Sequence, residues 1–421
     1  MISRTTETSS KEPAAAGARS LLCAAAVRRT ARRVLQLAVE DSLDDWVVHR
    51  ERLPAAADFV VQVVRDRYPD LHPPFHARWR HFVFAGQDLW ARGIGARAWK
   101  TPAERARAAF DLAITSVLLD AGAGADWRYT DRATGLTAAR SEGLALASLR
   151  WFERGGLSSD PRAPLRADAT ALRGIDAAAV DAAFQSGTRN TLQGAAGRAA
   201  LLNRLGVAVA ARTDLFAIAD VPRPGGLFDA LAACAVGDRI PAPIILEVLL
   251  DGLGAIWPNR PTLAGVALGD CWPYPALSGA APEEHFVPLH KLSQWLAYSL
   301  IEPLEAAGIQ VSDVAGLTGL AEYRNGGLFV DLEVLVPRDP QTLSRVHEVS
   351  DPFIVGWRAL TVALLDEIAP LVAAGLGFTT QQFPLPRVLE GGTWAAGRLI
   401  ARRKRTDGGP PIRITSDGTV F

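Results

Sequence analysis

The chain has 421 residues, with 45 Lys plus Arg balancing 45 Asp plus Glu and an apolar fraction of 49%. That length suffices for two lobes around a cleft, and the composition is that of an ordinary folded protein. With no net charge, no global field steers the protein towards nucleic acid or a membrane, so any bound anion must meet a local basic cluster.

Residues 1–17, rich in Ser, Thr, Ala and charge, read as a flexible tail. Residues 18–421 read as one helical unit, divisible into lobes near 18–165 and 166–421. A first amphipathic helix is expected over 20–46, with Val27, Val34, Leu35, Ala38 and Leu43 on one face. A second over 55–67 stops at the Tyr68-Pro69 step. Thr101-Pro102-Ala103-Glu104 opens a third, with Thr as N-cap, Pro in the first turn and an acid behind it. Ser141-Glu142-Gly143 leads into an Ala/Leu-rich helix that ends near Gly155-Gly156. Further helices are expected at 175–184, 197–205, 227–235, 243–253, 288–307 and 353–374. Extended structure is scarce. Residues 328–336, behind Gly326-Gly327, read as a short hairpin, and 411–421 as a ribbon turning at Asp417-Gly418.

Cys23, Cys234 and Cys271 form neither a CxxC nor a Cys/His ligand pattern, so neither a structural zinc nor a disulfide framework is expected. An odd cysteine count suits a reducing compartment. No apolar run reaches the roughly 20 residues that cross a bilayer. The apolar stretch 21–27 precedes Arg28, Arg29, Arg32 and Arg33, the reverse of a secretory signal, which makes the cytoplasm the expected location. Walker, GxSxG and HExxH signatures are absent, and no metal or cofactor is expected.

Candidate chemistry lies in five places. Trp257, Trp272 and Trp394 sit beside Pro or Gly, where an aromatic either walls a pocket or anchors a loop to the core. Lys291, Gln294 and Tyr298 share one helical face, either a ligand-binding line or a solvated polar stripe. Glu322 lies between Leu320 and Tyr323 before a glycine pair; desolvation there raises a carboxyl pKa and suits acid–base work, whereas a surface pair with Arg324 is the plain alternative. Arg358 stands among apolar residues and needs either a buried partner or a ligand anion. At the helix start Arg140-Ser141-Glu142, either phosphate binding or simple capping is open.

At these motifs the chain resembles the uracil catabolism protein four family of fungi and bacteria. The matching runs are Arg140-Ser141-Glu142-Gly143-Leu144-Ala145, Leu157-Ser158-Ser159-Asp160, Asn190-Thr191-Leu192-Gln193-Gly194 and His290-Lys291-Leu292-Ser293-Gln294-Trp295-Leu296. They continue with Leu317-Thr318-Gly319-Leu320, Glu322-Tyr323-Arg324-Asn325-Gly326-Gly327-Leu328, residues 389–398 and the end at 416–421. The resemblance implies work on ribosylurea or its 5′-phosphate, giving urea and ribose or ribose phosphate. A weaker likeness to queuosine-salvage N-glycosidases rests on Lys291 with Gln294, then Glu322-Tyr323-Arg324, then Trp357-Arg358-Ala359. It implies a helical fold similar to helix-hairpin-helix DNA glycosylases, in keeping with the mainly α pattern and the one or two short β-ribbons read above.

By that resemblance Glu322 falls at the catalytic carboxylate; with it, Lys291 is expected to hold a substrate hydroxyl or phosphate or to help the leaving group, and Gln294, Tyr298, Arg324 and Asn325 to fix ribose and urea. Arg140 is the phosphate candidate, and Glu142, Trp272 and Arg358 complete the expected binding set. Glu322 stands where the queuosine-salvage group has Asp. Gly356 stands where both groups usually have Glu, which leaves Arg358 without that partner. The expected ligand is a small ribosyl or ribosyl-phosphate compound, with no nucleic acid or membrane partner. Two rivals remain: an amidohydrolase cutting a ureido C–N bond, and a non-catalytic pathway partner or ligand sensor.

Overall fold

The computed structural model describes residues 6–124 and 126–415, with side chains described from residue 12. It is mainly α-helical, and its strands are two or three residues long and paired only in twos. Among the described residues no helix is long and apolar enough to cross a membrane.

The chain folds into two compact units that interleave along the sequence. One comprises the chain up to His76, Asn259–Gln294 and Val314–Thr415; the other comprises Ala77–Pro258 and Trp295–Asp313. Consecutive lobes meeting near residue 165 are therefore not what forms. Burial decides assembly, and apolar faces far apart in sequence can be the best partners for one another.

At the centre of the first unit lies the Pro352–Gly375 helix, apolar on nearly every side and buried accordingly. Asp351 caps it by accepting from the Phe353 N–H at 3.0 Å. The Ala24–Val39 and Leu53–Arg67 helices pack against it. The first of these is shorter than expected, because the chain turns at Asp41, where φ is +58°, and enters the Trp46–Val48 strand that pairs with Leu335–Pro337. The supposed tail forms a helix, Thr6–Arg19, in which Ala18 is fully buried.

The hairpin expected at 328–336 is instead the Tyr323–Asp331 helix followed by the single strand Leu335–Pro337. Gly326 serves packing here and makes no turn. A Cβ on it would lie 2.7 Å from the Trp357 ring and 2.8 Å from Thr361 Oγ1. Likewise the Gly391-Gly392 stretch is no loop. Leu389–Thr393 forms a π-helical turn that runs into the Trp394–Lys404 helix, and Gly392 presses against Val60. Arg413–Ile414 pairs in parallel with Val346–His347. The turn expected at Asp417-Gly418 lies outside the described residues.

In the second unit the Pro102–Leu118 helix is the buried axis, opened as expected by Thr101 accepting from the Glu104 N–H at 3.1 Å. The Arg140–Glu153, Ala195–Ala211 and Leu227–Cys234 helices pack on it.

Candidate functional site

In the first unit, one carboxylate organises the candidate residues. Asp270 Oδ1 accepts from Trp272 Nε1 and Arg358 Nη1, each at 2.8 Å. Its Oδ2 accepts from Arg358 Nη2 at 2.7 Å and from the Lys291 backbone N–H at 3.0 Å. The Asp270 carbonyl takes the Leu289 and His290 N–H groups as well. Burial pushes this carboxyl up, but the Arg358 guanidinium and the Trp272 and Lys291 N–H groups outweigh it and hold Asp270 well below the usual carboxylate range.

Two consequences follow for the residues read from sequence. Asp270 anchors the N-terminus of the Lys291–Ala306 helix, and so fixes where Lys291 leaves the backbone. Arg358 Nε donates to the Ala321 carbonyl at 3.2 Å, tying the same node to the residue before Glu322. The partner that Gly356 fails to supply is thus Asp270. Gly356 leaves room instead for Tyr274, whose hydroxyl would lie 2.6 Å from a Cβ at that position. A buried ion pair of this kind costs about 3–5 kcal/mol when one partner is removed.

Glu322 is 7% exposed and forms the N-cap of the Tyr323–Asp331 helix. Its oxygens accept from the Arg324 N–H at 2.8 Å and the Asn325 N–H at 2.5 Å. A carboxylate has about four lone-pair sites, so two backbone bonds fix its direction while leaving acceptor capacity for a ligand. Gln294 is fully buried and clasps Thr318: its Nε2 donates to Thr318 Oγ1, and its Oε1 accepts from the Thr318 N–H at 3.2 Å. The loop leading to Glu322 is thereby pinned to the helix of Lys291. Asn325 donates to the Leu320 carbonyl at 3.3 Å, while its buried Oδ1 has no hydrogen-bond donor among the described residues.

Arg324 lies across two aromatic faces, 5.2 Å from the Tyr323 ring centre and 4.6 Å from that of Trp394. Its Nε donates to Tyr323 Oη at 3.1 Å. Gly397 permits this arrangement, since a Cβ there would stand 2.1 Å from the Arg324 carbonyl oxygen. Each cation–π contact is worth about 0.5–2 kcal/mol.

The comparisons with known proteins bear on the whole chain. A family model described as Protein of unknown function (DUF1688) matches residues 20–421. Protein urg3 of Schizosaccharomyces pombe is 36% identical over 406 residues, covering 94% of this chain and 96% of that protein. Uracil catabolism protein 4 of Lachancea kluyveri is 37% identical over 404 residues, covering 88% and 90%. The chain belongs to the DUF1688 family.

In this DUF1688 member the candidate residues divide between the units. Lys291, Gln294, Trp272, Glu322, Arg324, Asn325 and Arg358 belong to the first, joined there by Asp270 and Thr318. Tyr298, Arg140 and Glu142 belong to the second. There Tyr298 is fully buried, Arg140 is exposed with φ of +53°, and Glu142 is half-buried and electrostatically coupled to Arg78. Ser141 makes no capping bond at its helix start; its carbonyl accepts from Arg78 Nη1 at 3.4 Å. Trp272 is buried in the Cys271–Pro273 strand and supports Asp270, the anchoring alternative of the two weighed from sequence.

Sequence reasoning passed over Asp270, although it directly precedes the Cys271-Trp272-Pro273 run. It also passed over a second buried pair in the same unit. His76 Nδ1 meets Glu390 Oε2 at 2.7 Å, and Tyr68 Oη donates to Glu390 Oε1 at 3.3 Å. The Glu390-Gly391-Gly392 string was the available signal, because an acid facing a close helix contact needs a partner.

Proposed function

We propose that this chain hydrolyses the N-glycosidic bond of ribosylurea, or of its 5′-phosphate, as a step of uracil catabolism. The Lachancea kluyveri relative carries the name Uracil catabolism protein 4 and aligns along nearly its full length. The observation that carries the reading is the Glu322 carboxylate: buried, aimed by two backbone N–H groups, and tied through Ala321, Arg358 and Asp270 to the helix start of Lys291.

In this reaction the C1′–N bond breaks and its electron pair leaves with the urea nitrogen, which takes a proton from the Lys291 ammonium; the proton that Glu322 collects from water later returns to Lys291 through solvent. Water oxygen bonds to C1′, and the proton it sheds passes to Glu322. Charge on the sugar is oxocarbenium-like at the transition state, where a fixed carboxylate stabilises it and orients the water. Lys291 steadies the departing urea, and Asn325 Oδ1 accepts a hydrogen bond from a urea N–H or a ribose hydroxyl. Urea and ribose, or ribose 5-phosphate, are the products.

Incubating purified protein with ribosylurea 5′-phosphate and resolving products by mass spectrometry tests the reaction. Intact urea is expected; ammonia or carbamate instead would assign cleavage to the ureido C–N bond, and binding without turnover would make the chain a sensor. Glu322→Gln is expected to lower turnover by about 10²–10⁴-fold while the protein still folds. Undiminished turnover in that variant removes Glu322 from the chemistry.

A further inference from the structure

We infer that Arg324, which lies over the Tyr323 and Trp394 rings, is the group that binds the phosphoryl dianion of a sugar-phosphate ligand. Four arginines are buried among the described residues: Arg78, Arg198, Arg324 and Arg358. Three of them have their charge answered from within the protein. Arg358 takes both oxygens of Asp270, and Arg78 takes Asp120 at 3.0 Å. Arg198 has no carboxylate but donates to the carbonyls of Leu119, Ala121, Gly122 and Gln193. Arg324 has neither. Among the described residues its guanidinium makes one hydrogen bond, to the Tyr323 hydroxyl, and no carboxylate lies within ion-pair distance.

A buried guanidinium without an anion is costly, and stacking against aromatic rings offsets only part of that cost. The ring contacts do, however, restrict where the guanidinium sits. Its Nε is taken by the Tyr323 hydroxyl, while its two Nη groups have no hydrogen-bond partner among the described residues, and paired N–H groups are how a guanidinium binds two oxygens of one phosphate. Arg324 stands two residues beyond Glu322, in the first turn of the helix that Glu322 caps. This assignment moves the phosphate contact from Arg140, which is exposed at a helix start and has no buried polar group of its own.

The inference rests on the proposed function for the identity of the sugar, but the anion site stands or falls separately. Calorimetric binding of ribose 5-phosphate, ribose and inorganic phosphate is to be measured for the wild-type chain and for Arg324→Gln, Arg324→Lys and Arg140→Gln. Ribose 5-phosphate should bind the wild type at least tenfold more tightly than ribose does. Arg324→Gln should remove that advantage, Arg324→Lys should recover part of it as a point charge, and Arg140→Gln should keep it. If Arg324→Gln does not fold by circular dichroism, a weakened but measurable affinity in Arg324→Lys supports the assignment. Equal affinity for ribose and ribose 5-phosphate, or loss with Arg140→Gln and not with Arg324 variants, overturns it. Tight ribose 5-phosphate binding without urea release from ribosylurea 5′-phosphate would reject the glycosidase reading alone.

Discussion

Two buried arginine–aspartate pairs, one in each compact unit, are built to different standards. Around Asp270 each oxygen has two donors, and the partners come from the Trp272 strand, the Lys291 helix and the Arg358 helix. Around Asp120, Arg78 Nη1 meets Oδ2 at 3.0 Å, while Asp120 Oδ1 and Arg78 Nη2 are buried with no hydrogen-bond partner among the described residues. Arg78 spreads its other contacts over Ser116 Oγ at 2.7 Å, the Trp295 and Phe82 rings, and the field of Glu142. A fully satisfied pair behaves as a rigid joint, because moving any one element breaks a charged hydrogen bond. A partly satisfied pair tolerates rearrangement and holds its surroundings less firmly. It is to the first, fully satisfied pair that the Lys291 helix start and the residue before Glu322 are attached.

Breaking the joint should give the largest effect. Asp270→Asn leaves Arg358 buried without its counter-charge and should cost about 3–5 kcal/mol in urea-induced unfolding. Adding Arg358→Met should restore part of that loss, since neither charge then remains; no restoration would mean that Asp270 acts mainly through the Lys291 helix start. Asp120→Asn should cost less, about 1.5–3 kcal/mol, because Glu142 still faces Arg78. An equal cost in the two variants would erase the distinction between the pairs. Gly356→Ala probes the packing beneath the joint. Its methyl group would meet the Tyr274 hydroxyl at 2.6 Å, for a loss of about 1–3 kcal/mol, and Tyr274→Phe in the same chain should relieve part of it.

The smallest effect is a pH dependence beside the joint. His290 is buried with φ of +46°, and its Nε2 donates to the Leu21 carbonyl at 3.0 Å. Burial lowers its pKa below 6.5, against the raising influence of that hydrogen bond and of Asp270, while Arg358 lowers it further. The unfolded chain therefore binds the proton more readily. Stability from the neutral imidazole is complete above about pH 6.5 and drains away as pH falls towards the lower folded value, by at most about 1.4 kcal/mol per pH unit. Asp270 contributes no slope in that window, since its folded pKa is depressed and its stabilisation is lost only in stronger acid. His290→Asn, which tolerates positive φ, should flatten the unfolding free energy just below about pH 6.5.

Much of the fold was legible because the local signals were strong. Thr101-Pro102 opens a helix as read, and the expected helices near 227–235, 243–253 and 353–374 match Leu227–Cys234, Ala242–Leu253 and Pro352–Gly375 closely. The misread places share one cause. Gly326-Gly327 suggests a hairpin turn and Gly391-Gly392 a loop, whereas the absent side chain lets another helix or ring approach. Nothing local to those residues announces a partner thirty or more positions away. Asp270 was missed for the same reason, since its donors at Lys291 and Arg358 are distant in sequence.

What the sequence determined by itself is helix position, through apolar periodicity and caps, together with family membership, through long motifs in fixed order. What only the tertiary structure decided is which charges are already answered. In sequence Arg358 stands among apolar residues and Arg324 beside Glu322 and Asn325, and neither setting says whether its charge is paired. Burial energy depends on the atoms facing a charge, and those come from segments that only folding brings together: Asp270 for Arg358, and the rings of Tyr323 and Trp394 for Arg324.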